Sequence, residues 1–236
     1  MTTADELGGG AVQERVVCDW PIPAVLRLTL SRPGRHNAVD QEFVDGLRAA
    51  FEEEAPRAAA VILRAEGSFC SGIDLGLSPD SRRSVSGQLY ELYALMVTHE
   101  RVILAAASGH AIGAGAQLLL ASDLRVASPD LVVRFPGPEH GLAVGTWGLP
   151  ALVGRGRALE LALTMRAVNS DEALRIGLVD RLAEDPDSEV LDIARAISEL
   201  DREAVTSTKA LVAAACGLKE SLAREALRNG TADRAP

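Results

Sequence analysis

Two short stretches stand out, and the first carries residue types that can hold an anionic oxygen. In Gly113-Ala114-Gly115 the glycines permit a sharp turn and a close approach to the main chain, and the apolar run that follows to Ala121 reads as a short buried helix. A helix starting there aims unpaired N–H groups and the positive end of its dipole at whatever lies in front of it. The second stretch, Ser68-Phe69-Cys70-Ser71-Gly72-Ile73-Asp74-Leu75, is a strand end leading into a small-residue turn. Preset amide donors in a dry pocket lower the barrier to a reaction that builds charge on a carbonyl oxygen. Gln117 stands one helical turn beyond Ala114. Its neutral amide can hold a water or a ligand group but takes no proton near neutral pH. The same run also fits a core helix of small residues with one satisfied amide.

The elements that position these turns follow from pattern. Val12 to Trp20 and Ala24 to Ser31 read as a strand pair, Ser31 to Ala38 as a loop, and Asp40 to Glu54 as a helix with Val44, Leu47 and Phe51 on one face. Ala58 to Arg64 suits a buried strand, Ser84 to Glu100 a helix, and Arg101 to Ala107 the strand that feeds the glycine motif. Asp123 to Ala127 and Leu131 to Phe135 are short strands, and Arg155 to Thr164 is a helix. Ser170-Asp171-Glu172 reads as the cap of a helix through Arg175 that Gly177 stops; helices over Ser188 to Leu200 and Arg202 to Ala215 follow. Strands dominate the first half and helices the second, which predicts an α/β core with a helical C-terminal region.

Composition narrows the function classes. The 236 residues, 47% hydrophobic, suffice for one domain with one sizeable core. A net charge of −9 with no basic block argues against nucleic acid and anionic membrane surfaces as partners. Cys18, Cys70 and Cys216 are widely spaced and odd in number, as in reduced thiols of a cytosolic protein, and no metal-type cysteine pair occurs. Met1 to Gly10 has two acids and a glycine triplet, so neither a signal peptide nor an ordered segment is expected there, and no run reaches transmembrane length.

Four segments together resemble the crotonase (enoyl-CoA hydratase/isomerase) superfamily: Leu30 to Pro33 with Asn37-Ala38, Ser68 to Leu75, Gly109 to Asp123, and Ser170 to Asp180. The resemblance implies a crotonase-like spiral of ββα units over 11–185, after a disordered tail 1–10. A shortened helical trimerisation region, 186–236, would follow, and the family's final helix and basic stretch would be missing. It further implies a cytoplasmic homo-oligomer of fatty acid metabolism, a trimer or dimer of trimers, that binds an acyl-CoA thioester. No cofactor is implied beyond the coenzyme A of the ligand, and no metal. By position the oxyanion-hole donors are Ile73 and Ala114. Phe69, Cys70, Gly72, Asp74 and Gly113 stand with them as substrate contacts, and Arg35, Arg82 and Arg83 are candidates for the coenzyme A phosphates.

The departures concern the acids. Gln117 stands where the family's hydratases carry one catalytic glutamate. Counting forward from Asp123 and back from Gly141-Leu142 both place Gly137 in the slot of the other. Glu139 is the nearby replacement as acid/base, while His110 and His140 are titratable neighbours of lesser promise. Trp147, in a Gly/Pro loop shorter than the family's usual one, can line an acyl pocket or pack in the core. The helix from Ser84 to Glu100 is expected to set acyl chain length. Two readings stay open: an enoyl-CoA hydratase or isomerase using Glu139, or a non-catalytic acyl-CoA-binding or carrier pseudo-enzyme.

Overall fold

The computed structural model describes residues 14–231 of the chain, and the tail Met1 to Gly10 lies outside them. β-Branched and alternating residues build β1 (Val16–Ile22) and β2 (Val25–Leu30), an antiparallel pair joined at Pro23-Ala24. β1 runs past the predicted end at Trp20 through Pro21, which an edge strand accepts beside its bulge between Asp19 and Ile22. α1 (Gln41–Ala49) is capped by Asp40, whose carboxylate accepts the Phe43 N–H at 3.0 Å, and it widens into a π turn over Ala50–Glu54. After β3 (Ala60–Ala65), α2 (Pro79–Thr98) starts at Pro79 rather than Ser84, because Ser78 caps it and proline suits a first helical position.

β4 (Val102–Ala107), β5 (His110–Ile112) and α3 (Ala114–Ala121) follow closely, and every residue of α3 is buried, as its lack of a polar face predicts. β6 (Leu124–Ala127) and β7 (Val132–Arg134) lead to α4 (Leu149–Val153), too short for its periodicity to be read, and to α5 (Arg155–Thr164). β8 (Val168–Asn169), α6 (Ser170–Ile176) and β9 (Arg181–Leu182) come next. The cap of α6 is Asn169, which accepts the Glu172 N–H at 2.9 Å, whereas the Ser170 hydroxyl donates to the Pro129 carbonyl at 2.7 Å. The chain closes with α7 (Pro186–Ser198), α8 (Arg202–Ala215) and α9 (Leu218–Thr231).

Strands β1-β2-β3-β4-β6-β9 form one sheet in that order, parallel from β2 onward, and β5-β7-β8 form a second. Single bridges of Ile73 to Val39 and of Cys70 to Ala111 extend the second layer. Three strands of the large sheet are each followed by a short extended piece in the second layer and then a helix. β2 leads to Val39 and α1, β3 to Cys70–Ile73 and α2, β4 to β5 and α3. This is the mixed α/β spiral of ββα units. It places the Gly72 and Gly113 turns side by side beyond the C-terminal ends of β3 and β4. Leu28, Leu63, Phe43, Phe69 and Tyr93 fill the main core, and α7 covers the other sheet face through Val190 and Ala194. Among the described residues no helix is long and apolar enough to cross a membrane.

The C-terminal region differs from expectation. A final helix is present: α9 lies against α2. Its inward positions, Leu222, Glu225 and Asn229, recur at helical spacing, but two are polar, so hydrophobic periodicity does not reveal them. α8 has no buried residue and is held instead by Lys209. Its ammonium donates to the carbonyls of Met96 (3.2 Å) and Arg101 (2.8 Å) and pairs with Asp123 at 2.8 Å. Removing one partner of a buried pair strands the other charge. Lys209→Met is therefore expected to lose about 3 kcal/mol in urea unfolding, and adding Asp123→Asn to recover part of it.

Candidate active site

Val39 fixes the turn after β3. Its N–H donates to the Gly72 carbonyl at 2.8 Å and its carbonyl accepts the Asp74 N–H at 2.9 Å. Those bonds use the groups on either side of Ile73, so the Ile73 N–H faces away from Val39 and makes no backbone hydrogen bond among the described residues. Ala114 opens α3, and its N–H is likewise unpaired. Gly113 before it has φ 55° and ψ −109°, a conformation that side chains disfavour. The two turns touch: a Cβ built on Gly72, at φ 100°, would lie 3.0 Å from the Ile112 carbonyl oxygen and 3.9 Å from the Ala114 nitrogen. At Gly115 a Cβ would sit 2.1 Å from the Cys70 carbonyl oxygen, so only glycine lets α3 begin against that strand.

The surrounding residues have distinct roles. Phe69 and Cys70 are fully buried beneath the turn, and burial pushes the Cys70 thiol up to about 12, leaving it protonated near neutral pH. Asp74 accepts the Gly76 N–H at 2.9 Å and Arg32 Nη1 at 2.8 Å; that amide first, then the guanidinium, holds its carboxyl below the usual range. Arg35 is exposed at the same corner, its Nη2 lying 3.9 Å from where a Cβ on Gly76 would stand. Arg82 and Arg83 lie in the first turns of α2, where Arg83 pairs with Asp80. The Asn37 amide spans Arg32 N (2.6 Å), Glu66 O (3.0 Å) and Ser68 O (2.7 Å) and so ties the two loops together, a role its place in the family pattern does not reveal. Its signal is an asparagine in a Pro-Gly loop, a type that tolerates the observed φ of 52°.

Gln117 belongs to a buried polar cluster. Its Oε1 accepts Trp147 Nε1 at 3.0 Å and the Gly145 N–H at 3.4 Å. Trp147 is buried, stacked on Tyr93 with ring centroids 6.3 Å apart, and the Tyr93 hydroxyl donates to the Ala114 carbonyl at 3.2 Å. Glu225 of α9, an isolated acid that no sequence pattern marks, reaches the same loop and shares the Gly145 N–H with Gln117. It accepts from Tyr90 Oη (2.9 Å), Gly145 N (3.1 Å), Thr146 Oγ1 (2.6 Å) and Trp147 N (3.0 Å). Asn229 joins it by accepting the Ala143 N–H at 3.0 Å and donating to the Ala143 carbonyl at 2.6 Å. Burial raises the Glu225 carboxyl above its ordinary value, and the four donors pull it part of the way back.

Gly137 has ordinary helical angles but no space. A Cβ there would come 2.7 Å from the Leu142 carbonyl oxygen and 2.9 Å from Val144. The loop from Leu142 to Val144 therefore fills the volume that a longer side chain would need. Glu139 lies in the exposed turn Pro138–His140 and is ion-paired to Arg134, whose Nε donates to the Met165 carbonyl at 2.6 Å. His140 is exposed in the same turn, and His110 sits at the surface with Nδ1 3.3 Å from Ser68 Oγ.

A family model for enoyl-CoA hydratase/isomerase matches residues 23–233. The chain belongs to the enoyl-CoA hydratase/isomerase family. It is similar to the probable enoyl-CoA hydratase echA6 of Mycobacterium tuberculosis, 36% identical over 165 residues that cover 67% of each chain. It is also similar to crotonyl-CoA hydratase of Syntrophomonas wolfei, 31% identical over 198 residues, covering 78% of this chain and 75% of that one. Among solved structures, an enoyl-CoA hydratase/isomerase from Xanthobacter autotrophicus superposes with a TM-score of 0.80 at 28% identity, covering 92% and 87% of the two chains. The family's spiral thus accounts for the two sheet layers and for the meeting of the Gly72 and Gly113 turns.

Two outcomes follow from this geometry. Gly115→Ala is expected to destabilise the fold by about 3 kcal/mol in thermal or urea unfolding, since the clash is with backbone and no rotamer relieves it. For Glu225, a raised folded pKa means that the folded state binds the proton more tightly than the unfolded one. Stability from this group is therefore present below the ordinary value of 4.5 and is lost as pH rises through the folded pKa. The unfolding free energy of the wild type relative to Glu225→Gln is expected to fall as pH is raised from 4.5, by paired urea titrations.

Proposed function

We propose that this protein holds an acyl-CoA thioester with its carbonyl oxygen between the N–H groups of Ile73 and Ala114, and that it acts as a binder or carrier of that ester rather than as a hydratase. The supporting observation is the pairing of two unpaired, adjacent amides with an acid slot, Gly137, that has no room for an acid. Amide donors polarise a carbonyl. Hydration also needs groups that activate water and deliver its proton. Gln117 cannot exchange a proton, and its Oε1 is engaged by Trp147. Glu225, which shares the Gly145 N–H with Gln117, is engaged by four donors. Arg35, at the Ile73 corner, is the candidate contact for the coenzyme A phosphates, with Arg82 and Arg83 further along. The same reading includes the expected cytoplasmic homo-oligomer, trimer or dimer of trimers, supported by exposed Leu200, Leu211 and Val212 around α8.

A second reading has one observation in its favour. Glu139 pairs with Arg134, whose carbonyl accepts the Gly113 N–H at 2.9 Å, so the carboxylate two residues beyond Gly137 is anchored to the strand beside the oxyanion turn. In this reading Glu139 leaves Arg134 and serves as acid/base for hydration or double-bond migration of an enoyl-CoA. Calorimetric titration with a saturated acyl-CoA, beside absorbance assays on crotonyl-CoA and a longer enoyl-CoA, separates the two. Micromolar binding without turnover is the expected result. Turnover lost in Glu139→Gln but kept in Gln117→Ala would establish the enzyme instead, and no binding of any acyl-CoA would end both readings.

A further inference from the structure

The two proposed donors are secured differently. Val39 grips the Ile73 turn on both sides, through the Gly72 carbonyl and the Asp74 N–H. Ala114 instead follows Gly113, whose φ of 55° belongs to a region that few residues other than glycine adopt. The peptide plane that carries the Ala114 N–H is held through the Gly113 carbonyl, which accepts the Gln117 N–H at 3.0 Å. The next plane is held from outside the helix by Tyr93, a fully buried side chain of α2 whose hydroxyl donates to the Ala114 carbonyl at 3.2 Å. That is the one hydrogen bond this hydroxyl makes among the described residues.

The Tyr93 ring is itself pinned. Trp147 stacks on it at 6.3 Å between centroids, and Tyr90 meets it edge-on at 6.0 Å. Trp147 Nε1 in turn donates to Gln117 Oε1 at 3.0 Å, so the contacts run from Ala114 through Tyr93 and Trp147 back to the same first turn of α3. Burial above all raises the Tyr93 pKa well beyond its ordinary value, and the hydroxyl stays a donor across the physiological range. A backbone carbonyl has two lone pairs, and that of Ala114 already serves the helix ladder. The Tyr93 bond is therefore not needed to satisfy that oxygen. Its effect is to fix the planes on both sides of the Ala114 Cα, which leaves the N–H one direction. Hydrogen bonds weaken steeply as they bend, and donors to a developing oxyanion act because they are aimed beforehand.

We infer that Tyr93 is a positioning residue for the thioester: its hydroxyl aims the Ala114 amide and so sets how strongly the bound carbonyl is polarised. This inference rests on the proposed seating of an acyl-CoA between Ile73 and Ala114. The test compares the wild type with Tyr93→Phe, which keeps the ring against Trp147 and removes the hydroxyl alone. Tyr90→Phe is the comparison, since it removes a neighbouring hydroxyl that donates to Glu225 instead. The probes are butyryl-CoA and S-butyl-CoA, a thioether of the same length without a carbonyl, each titrated by calorimetry. The infrared stretch of the isotope-labelled thioester carbonyl is read in each complex with butyryl-CoA. In the wild type the bound band is expected below its position in solution. In Tyr93→Phe it should move back toward that position, with butyryl-CoA binding weakened about tenfold and S-butyl-CoA binding unchanged. Tyr90→Phe is expected to match the wild type in both readouts. An unmoved band in Tyr93→Phe overturns the inference while leaving the seating intact. Equal loss of both ligands, or failure of Tyr93→Phe to fold, marks the residue as structural and overturns it too. A wild type that binds no butyryl-CoA, or binds it with an unshifted band, ends the seating itself and the inference with it.

Discussion

The contact between the first turn of α3 and the carbonyl of Cys70 is the constraint on which the rest of this structure depends. No side chain fits at Gly115, so the helix backbone lies directly on the strand and its first amide opens beside the Gly72 turn. Because α3 is wholly buried, its terminal N–H groups face little competing water and its dipole acts through a medium of low polarity. Tyr93 fixes the same turn from the other side through the Ala114 carbonyl and carries Trp147 on its ring. The donors of the site and the wall beside them are therefore positioned by one packed unit.

Beside those donors a buried carboxylate secures the neighbouring loop. Gln117 and Gly137 occupy the places where acids are expected from the family resemblance, while Glu225 fastens α9 to Gly145, Thr146 and Trp147. Ionised burial is costly, and four donors on two oxygens offset much of that cost. Leu142 and Val144, in the loop so secured, crowd Gly137. The crowding at Gly137 and the docking of α9 are thus one arrangement, joined through the loop from Leu142 to Trp147.

Most of the frame was legible from pattern. Alternating and β-branched residues marked β2, β3 and β4, the all-apolar run marked α3 as buried, and Gly177 marked the end of α6. Boundaries moved where a single hydrogen bond decides them. Ser78 brings α2 forward to Pro79, and Asn169 rather than Ser170 caps α6. The final helix was missed because Glu225 and Asn229 hold two of its inward positions, and Lys209 because its partner lies far back in the chain at Asp123.

The sequence by itself determined the two glycine-flanked turns, the family pattern they belong to, and the residue types at positions 117 and 137, since each depends on local chemistry and spacing. Only the tertiary structure decided that Gln117 faces Trp147, that Gly137 has no free volume, that Glu139 is held by Arg134, and that Glu225 is buried. The reason is physical: a backbone conformation is set by neighbours along the chain, whereas the use of a polar side chain depends on which distant donors fold against it and how much water they displace.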